Sequence, residues 1–202
     1  MSIQNNLDDK YWDDRYKSSQ TPWDIGYASQ PLTDYIDQLK NYDIEILIPG
    51  AGSGYEALYL FAKGFKNITV ADISEVAIEN LRKHFPKEIN IYHGDFFDID
   101  KKFDLIIEQT FFCALDPLRR EDYANKVYEL LKINGKLVGV LFNTIFPAGP
   151  PFGGSVDEYL KLFSGDFNIR KIEPCYNSIK PRSGSELFII LSKDQEKIPV
   201  SM

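Results

Sequence analysis

A short apolar run, Glu45 to Pro49, leads directly into Gly50-Ala51-Gly52-Ser53-Gly54, and an amphipathic stretch begins at Glu56. This strand, glycine loop and helix constrain the chain more than any other feature. Glycine accepts positive φ, so the backbone can turn tightly between strand and helix. It also removes the side chains that would hold a ligand away from the backbone. The helix that follows aims its first free N–H groups into the loop. Such a chain folds as a layered α/β structure whose ligand lies beyond the carboxyl ends of the strands.

The glycine spacing narrows the ligand. A dinucleotide fingerprint, G-x-G-x-x-G, would put its third glycine at position 55, which is Tyr55. No Gly-Lys-Ser/Thr follows the loop, so it is not a Walker loop. The observed G-x-G-x-G suits an adenosyl ligand without a pyrophosphate. Asp72 closes the next apolar run about 20 residues on, where a carboxylate meets ribose hydroxyls. After a third run comes His93-Gly94-Asp95-Phe96. Asp95 there can accept from an adenine amino group and Phe96 can pack on the ring, although Phe96 alone reads equally well as a buried turn residue.

The remaining pattern alternates. Strands are expected at 45–49, 67–72, 89–92, 103–108, 136–142, 167–172 and 186–191. Helices are expected at 10–17, 32–39, 56–63, 75–84, 117–131 and 156–163. The unbroken Leu105-Ile106-Ile107 is that of a strand covered on both faces. Ser74 stands where an N-cap belongs, and Asp116-Pro117 is a cap followed by proline at the first helical position. The fold class is therefore α/β, a doubly wound, mainly parallel sheet. One domain over 1–202 is expected, with a 1–40 extension, a 44–192 core, a Pro/Gly-rich loop at 146–154 and a frayed tail over the last ten residues.

Charge and composition exclude several classes. The net charge of −7 argues against nucleic acid as the main partner, because phosphate binding needs a basic footprint. No apolar run reaches the roughly 18 residues of a membrane span, and the N-terminus has no signal-peptide core, which points to a cytoplasmic protein. Cys113 and Cys175 show no CxxC spacing and the two histidines no HxxxH spacing, so no metal site is expected. No exposed apolar heptad is evident, which suits a monomer.

Several further segments resemble the thiopurine methyltransferase superfamily, most closely its halide/thiol (thiocyanate) methyltransferase branch. They are Trp12 with Thr21-Pro22-Trp23-Asp24, Pro49-Gly50-x-Gly52-x-Gly54, Asp72-Ile73-Ser74, Asp95-Phe96-Phe97, Phe111-Phe112-Cys113-Ala114 with Pro117, and Gly149-Pro150-Pro151-Phe152. The resemblance implies a class I, Rossmann-like fold of seven strands and S-adenosyl-L-methionine as cofactor. It implies cofactor contacts at Trp12, Tyr16, Trp23, Gly50, Gly52, Gly54, Asp72, Ile73, Asp95, Phe96 and Gln109. Trp12, Tyr16 and Trp23 would form a lid, since a sulfonium is attracted to aromatic faces by about 0.5–2 kcal/mol per contact. Four positions depart from expectation. Tyr16 stands where the branch has Trp, and Glu108-Gln109 where it has Asp-Tyr. Ile48, as in the family, replaces the acid that many methyltransferases carry two residues before the first glycine. That leaves Glu56, in the first helical turn, as a candidate for the amino-acid end of the cofactor.

The implied reaction is displacement at the sulfonium methyl by a small nucleophile such as a thiol, thiocyanate, hydrosulfide or halide. These are good nucleophiles, so proximity and desolvation suffice without a general base. Glu108, Phe112, Pro151, Phe152 and Arg182 are the candidate acceptor contacts, Arg182 as an attractor of anions. An aromatic thiol such as a thiopurine, or a metalloid, is the alternative acceptor. A non-catalytic adenosyl-binding module and an NAD-dependent oxidoreductase are the alternatives from other classes.

Overall fold

A computed structural model describes residues 7–194. In chain order the elements are α1 (Asp9–Lys17), α2 (Gln30–Ile36), β1 (Glu45–Pro49), α3 (Tyr55–Ala62), β2 (Asn67–Asp72), α4 (Glu75–His84), β3 (Asn90–His93), β4 (Phe103–Gln109), α5 (Arg120–Leu130), β5 (Leu131–Phe142), α6 (Val156–Phe163), β6 (Asn168–Pro174) and β7 (Glu186–Ser192). The strands form one seven-stranded sheet in the order β3-β2-β1-β4-β5-β7-β6. Only β7 runs against the rest, pairing antiparallel with both β5 and β6.

Side chains alternate across each strand, and the two faces bury separate clusters. Leu47, Ile106 and Leu137 join Tyr123 and Val127 of α5 and Tyr159 and Phe163 of α6. Ile46, Ile48, Leu105, Ile107 and Val138 face the other way, against Leu32 and Ile36 of α2, Leu60 of α3 and Ile78 and Leu81 of α4. Helices therefore cover both faces. The strand order reverses between β1 and β4, which opens a crevice at their carboxyl ends.

The expected elements are present, with shifted ends. Ser74 caps α4 by accepting the Ala77 N–H at 3.2 Å. The helix expected over 117–131 is divided: Pro117–Arg119 is a 3₁₀ turn, capped by Asp116 through the Leu118 N–H at 2.9 Å, and α5 starts at Arg120. Asn134, with φ 65°, and Gly135 fall where the register of β5 against β4 shifts between Phe103 and Leu105. The tail expected over the last ten residues lies, from 195 onward, outside the described residues, as do the first six of the extension.

Candidate active site

A cavity of about 790 Å³ lies at the reversal point. Its floor is the glycine loop, and Asp72 and Ile73 after β2, Gly94 to Phe97 after β3 and Gln109 to Phe111 after β4 make its sides. Trp12, Tyr16 and Trp23 cover it, and Phe142, Phe146, Pro150, Pro151 and Arg182 line its far end.

The glycine loop is held from both ends. The Ala51 N–H donates to Ala71 O at 3.0 Å and the Gly52 N–H to Asp72 Oδ2 at 2.9 Å. Gly52 has φ 52°, and a Cβ there would lie 2.9 Å from the Tyr16 hydroxyl oxygen. The cover thus approaches bare backbone, which only glycine permits. The other Asp72 oxygen accepts the Ser74 N–H at 2.9 Å. The carboxylate has four lone pairs and three backbone amides (Gly52, Ile73 and Ser74) facing it, so at least one remains for a ligand. Burial pushes the Asp72 carboxyl up, while the Ser74 and Gly52 amides oppose that rise.

Trp23 is the centre of the cover. Trp12 meets it edge-on at 5.6 Å and Tyr16 at 6.0 Å between ring centroids. Asp24 fastens this segment to the loop by accepting from the Ser53 hydroxyl at 2.5 Å and the Tyr55 hydroxyl at 3.5 Å. Asp13 of α1 accepts from the Ser74 hydroxyl at 2.6 Å and the Val76 N–H at 3.2 Å, which docks α1 on the start of α4.

On the β3 side, Asp95 accepts the Phe97 N–H at 3.0 Å. Phe96 lines the cavity and also packs edge-on against Phe111 at 5.2 Å. Arg119 lies 3.7 Å above the Phe97 ring and 4.0 Å from Asp95. Gln109 lines the cavity, and its Oε1 is buried without a partner.

The decisive comparison is with families. The family model described as thiopurine S-methyltransferase matches residues 7–197. The chain belongs to the thiopurine S-methyltransferase family. It is 32% identical over 184 residues to a probable thiol methyltransferase 2 of Arabidopsis thaliana, covering 87% of this chain and 81% of that one. It is 30% identical over 184 residues to thiocyanate methyltransferase 1 of Brassica oleracea, with the same coverage. Among solved structures, the 1,6-didemethyltoxoflavin-N1-methyltransferase of Burkholderia thailandensis superposes with a TM-score of 0.74 at 16% identity, covering 92% of this chain and 87% of that one.

This member of the family is an S-adenosylmethionine-dependent methyltransferase. The cavity fits that cofactor. Asp72 retains a free lone pair, the loop at Gly52 leaves room only for backbone, and the unpartnered Gln109 oxygen needs a donor that the protein does not supply.

Three expected acceptor contacts are corrected. Glu108 is fully buried: Oε1 accepts the Phe111 and Phe112 N–H groups at 2.8 and 2.9 Å, and Oε2 the Tyr123 hydroxyl at 2.8 Å. Those bonds turn it away from the cavity, and burial pushes its carboxyl up to about 7. Phe112 is core, packed on Tyr123 and Tyr159. Phe152 is not among the cavity-lining residues; its ring lies over Gly149, where a Cβ would collide with it. Pro151 and Arg182 do line the cavity. Arg182, however, is already engaged: it donates to Trp23 O at 2.9 Å, lies 3.5 Å from the Glu186 carboxylate and faces the Phe142 ring. Sequence reasoning gave no role to Asp24 or Arg119. Asp24 stood inside the Thr-Pro-Trp-Asp motif, which was the available signal.

Proposed function

We propose that the chain methylates a small sulfur or halide nucleophile, with Trp12, Tyr16 and Trp23 acting as a lid over the cofactor. When bound, S-adenosylmethionine supplies a methyl group activated by the sulfonium. Asp72 takes the ribose hydroxyls, Asp95 and Phe96 the adenine, and the amides of the glycine loop the remainder of the cofactor. The three lid rings present π-faces to the cation and exclude water. The observation that carries this reading is the aromatic cover closed over the glycine loop, so near that a Cβ on Gly52 would lie 2.9 Å from the Tyr16 hydroxyl oxygen. No histidine lines the cavity among the described residues, in keeping with an acceptor that needs no general base.

An apolar or aromatic thiol is the second reading. Phe111, Phe142, Phe146 and Pro151 line the far end, and the charge of Arg182 is shared with Glu186. The net charge of −7 supports a protein that works without nucleic acid, and we infer a cytoplasmic monomer with one domain over 1–202. No helix among the described residues is long and apolar enough to cross a membrane.

Incubating the purified protein with S-adenosylmethionine and, separately, iodide, thiocyanate, hydrosulfide and thiophenol tests the reading. Methylated product from any of the first three supports it. Turnover with thiophenol alone selects the second reading, and no turnover with any of the four removes both.

A further inference from the structure

The cofactor of this chain has an α-ammonium group, and position 48, where an acid often serves that end, is Ile48, buried at 3% exposure. Two other carboxylates line the cavity beside the glycine loop. Glu56 is 7% exposed and accepts the Ser29 N–H at 2.9 Å. Asp24 is tied through the Ser53 and Tyr55 hydroxyls to the two residues on either side of Gly54. Neither forms an ion pair among the described residues. Burial raises the Glu56 carboxyl, the Ser29 amide opposes that, and the field of Asp24 adds to the rise. Arg182 acts on Glu56 but is bound to Trp23 O and Glu186. Glu56 is thus a buried carboxylate with no direct ion-pair partner, which is costly, and half-buried Asp24 beside it adds negative charge; a cationic ligand group between them reduces the cost.

We propose that Asp24 and Glu56 together clamp the ammonium of the cofactor's methionine moiety, and that this clamp locks the closed lid onto the glycine loop. The inference rests on the lid reading above. Asp24 belongs to the cover and Glu56 to α3, so a cation held by both joins the two. Trp23 is the neighbour of Asp24 and touches Trp12 and Tyr16, so the aromatic cover moves with the clamp. A nucleoside that lacks the ammonium would fill the adenosine end and leave the lid held only by the protein's own bonds at Ser53, Ser74 and Arg182.

The chain has two tryptophans, Trp12 and Trp23, both in this segment, so intrinsic fluorescence reports the lid alone. The test titrates the full chain with S-adenosylhomocysteine, with 5′-methylthioadenosine, and with the deaminated homologue that keeps the carboxylate, reading calorimetry and tryptophan emission together. All three are expected to bind, S-adenosylhomocysteine at least tenfold tighter, and it alone is expected to change the emission. Asp24→Asn and Glu56→Gln should each weaken S-adenosylhomocysteine tenfold or more, abolish its emission change and leave methylthioadenosine within twofold. Equal affinity or equal emission change for the deaminated homologue would overturn the clamp while leaving the cofactor reading intact. Failure of all three to bind would overturn both. The ligand series on the unaltered chain decides the point whether or not the variants fold.

Discussion

Thr110 has φ 59°, a left-handed conformation that a β-branched residue rarely adopts. Its neighbours explain it. Glu108 draws the Phe111 and Phe112 N–H groups onto one oxygen, so the chain must reverse sharply at position 110. The strain, of order 1–3 kcal/mol, is offset by those charge-assisted bonds. The carboxyl that holds this turn has its pKa raised to about 7 from 4.5, through burial. A raised pKa means that the stability it contributes is complete below pH 4.5 and is lost as pH rises through about 7. The shift corresponds to about 3 kcal/mol at most. Glu108→Gln should therefore flatten the fall in denaturation midpoint between pH 4.5 and 7; an unchanged slope would place the titration elsewhere. Asp72→Ala should weaken S-adenosylhomocysteine by about 1–3 kcal/mol, since a loop amide and the ribose both lose their acceptor. Calorimetric titration measures this directly, and unchanged affinity would remove Asp72 from the ribose site.

At the scale of elements, α1 is a weakly anchored helix. None of its residues is fully buried, and its attachment to α4 includes Asp13 bridging Ser74 and Val76. Asp13→Ala should cost about 1 kcal/mol overall and speed amide exchange across 9–17 at least tenfold, with α4 still capped by Ser74. Exchange rates equal to those of the unaltered chain would show that the aromatic contacts hold α1 alone. The strands and the sheet were legible in the sequence because Ile46, Leu47 and Ile48 alternate faces within an apolar run bounded by glycine. So were the glycine loop and the caps at Ser74 and Asp116, which depend on neighbours a few residues away. Phe112 was misread because the turn at Thr110 swings it inward, and a one-dimensional pattern carries no sign of that φ; Glu108 was misread because a carboxylate at the end of β4 suggests a ligand, whereas it shares the inward face of Ile106 and is satisfied by Tyr123 and the turn amides. Asp24 escaped notice because its partner Ser53 is 29 residues along the chain. The splitting of the helix after Pro117 was lost for a related reason: a 3₁₀ start and an α start share the same cap residue.

The cavity of about 790 Å³ lies at the reversal point of a sheet that carries helices on both faces, so ligand binding there should be felt globally. At one hundred times its dissociation constant, S-adenosylhomocysteine should add about 2.7 kcal/mol to stability and raise Tm by roughly 5–10 °C for a chain of this size. A thermal shift below about 2 °C at that saturation would mean that the unfolded chain binds it too, or that the cavity takes another ligand. The order of strands carries a further consequence for biosynthesis. The last strand of the described residues, β7, lies inside the sheet between β5 and β6. A nascent chain lacking it leaves the edge of β5 bare and gives β6 nothing to pair with, and exposed edges recruit other chains. Every ribosome making this protein therefore holds an open, adhesive sheet until β7 has been synthesised. A premature stop just before Glu186 should yield aggregate rather than a shortened enzyme.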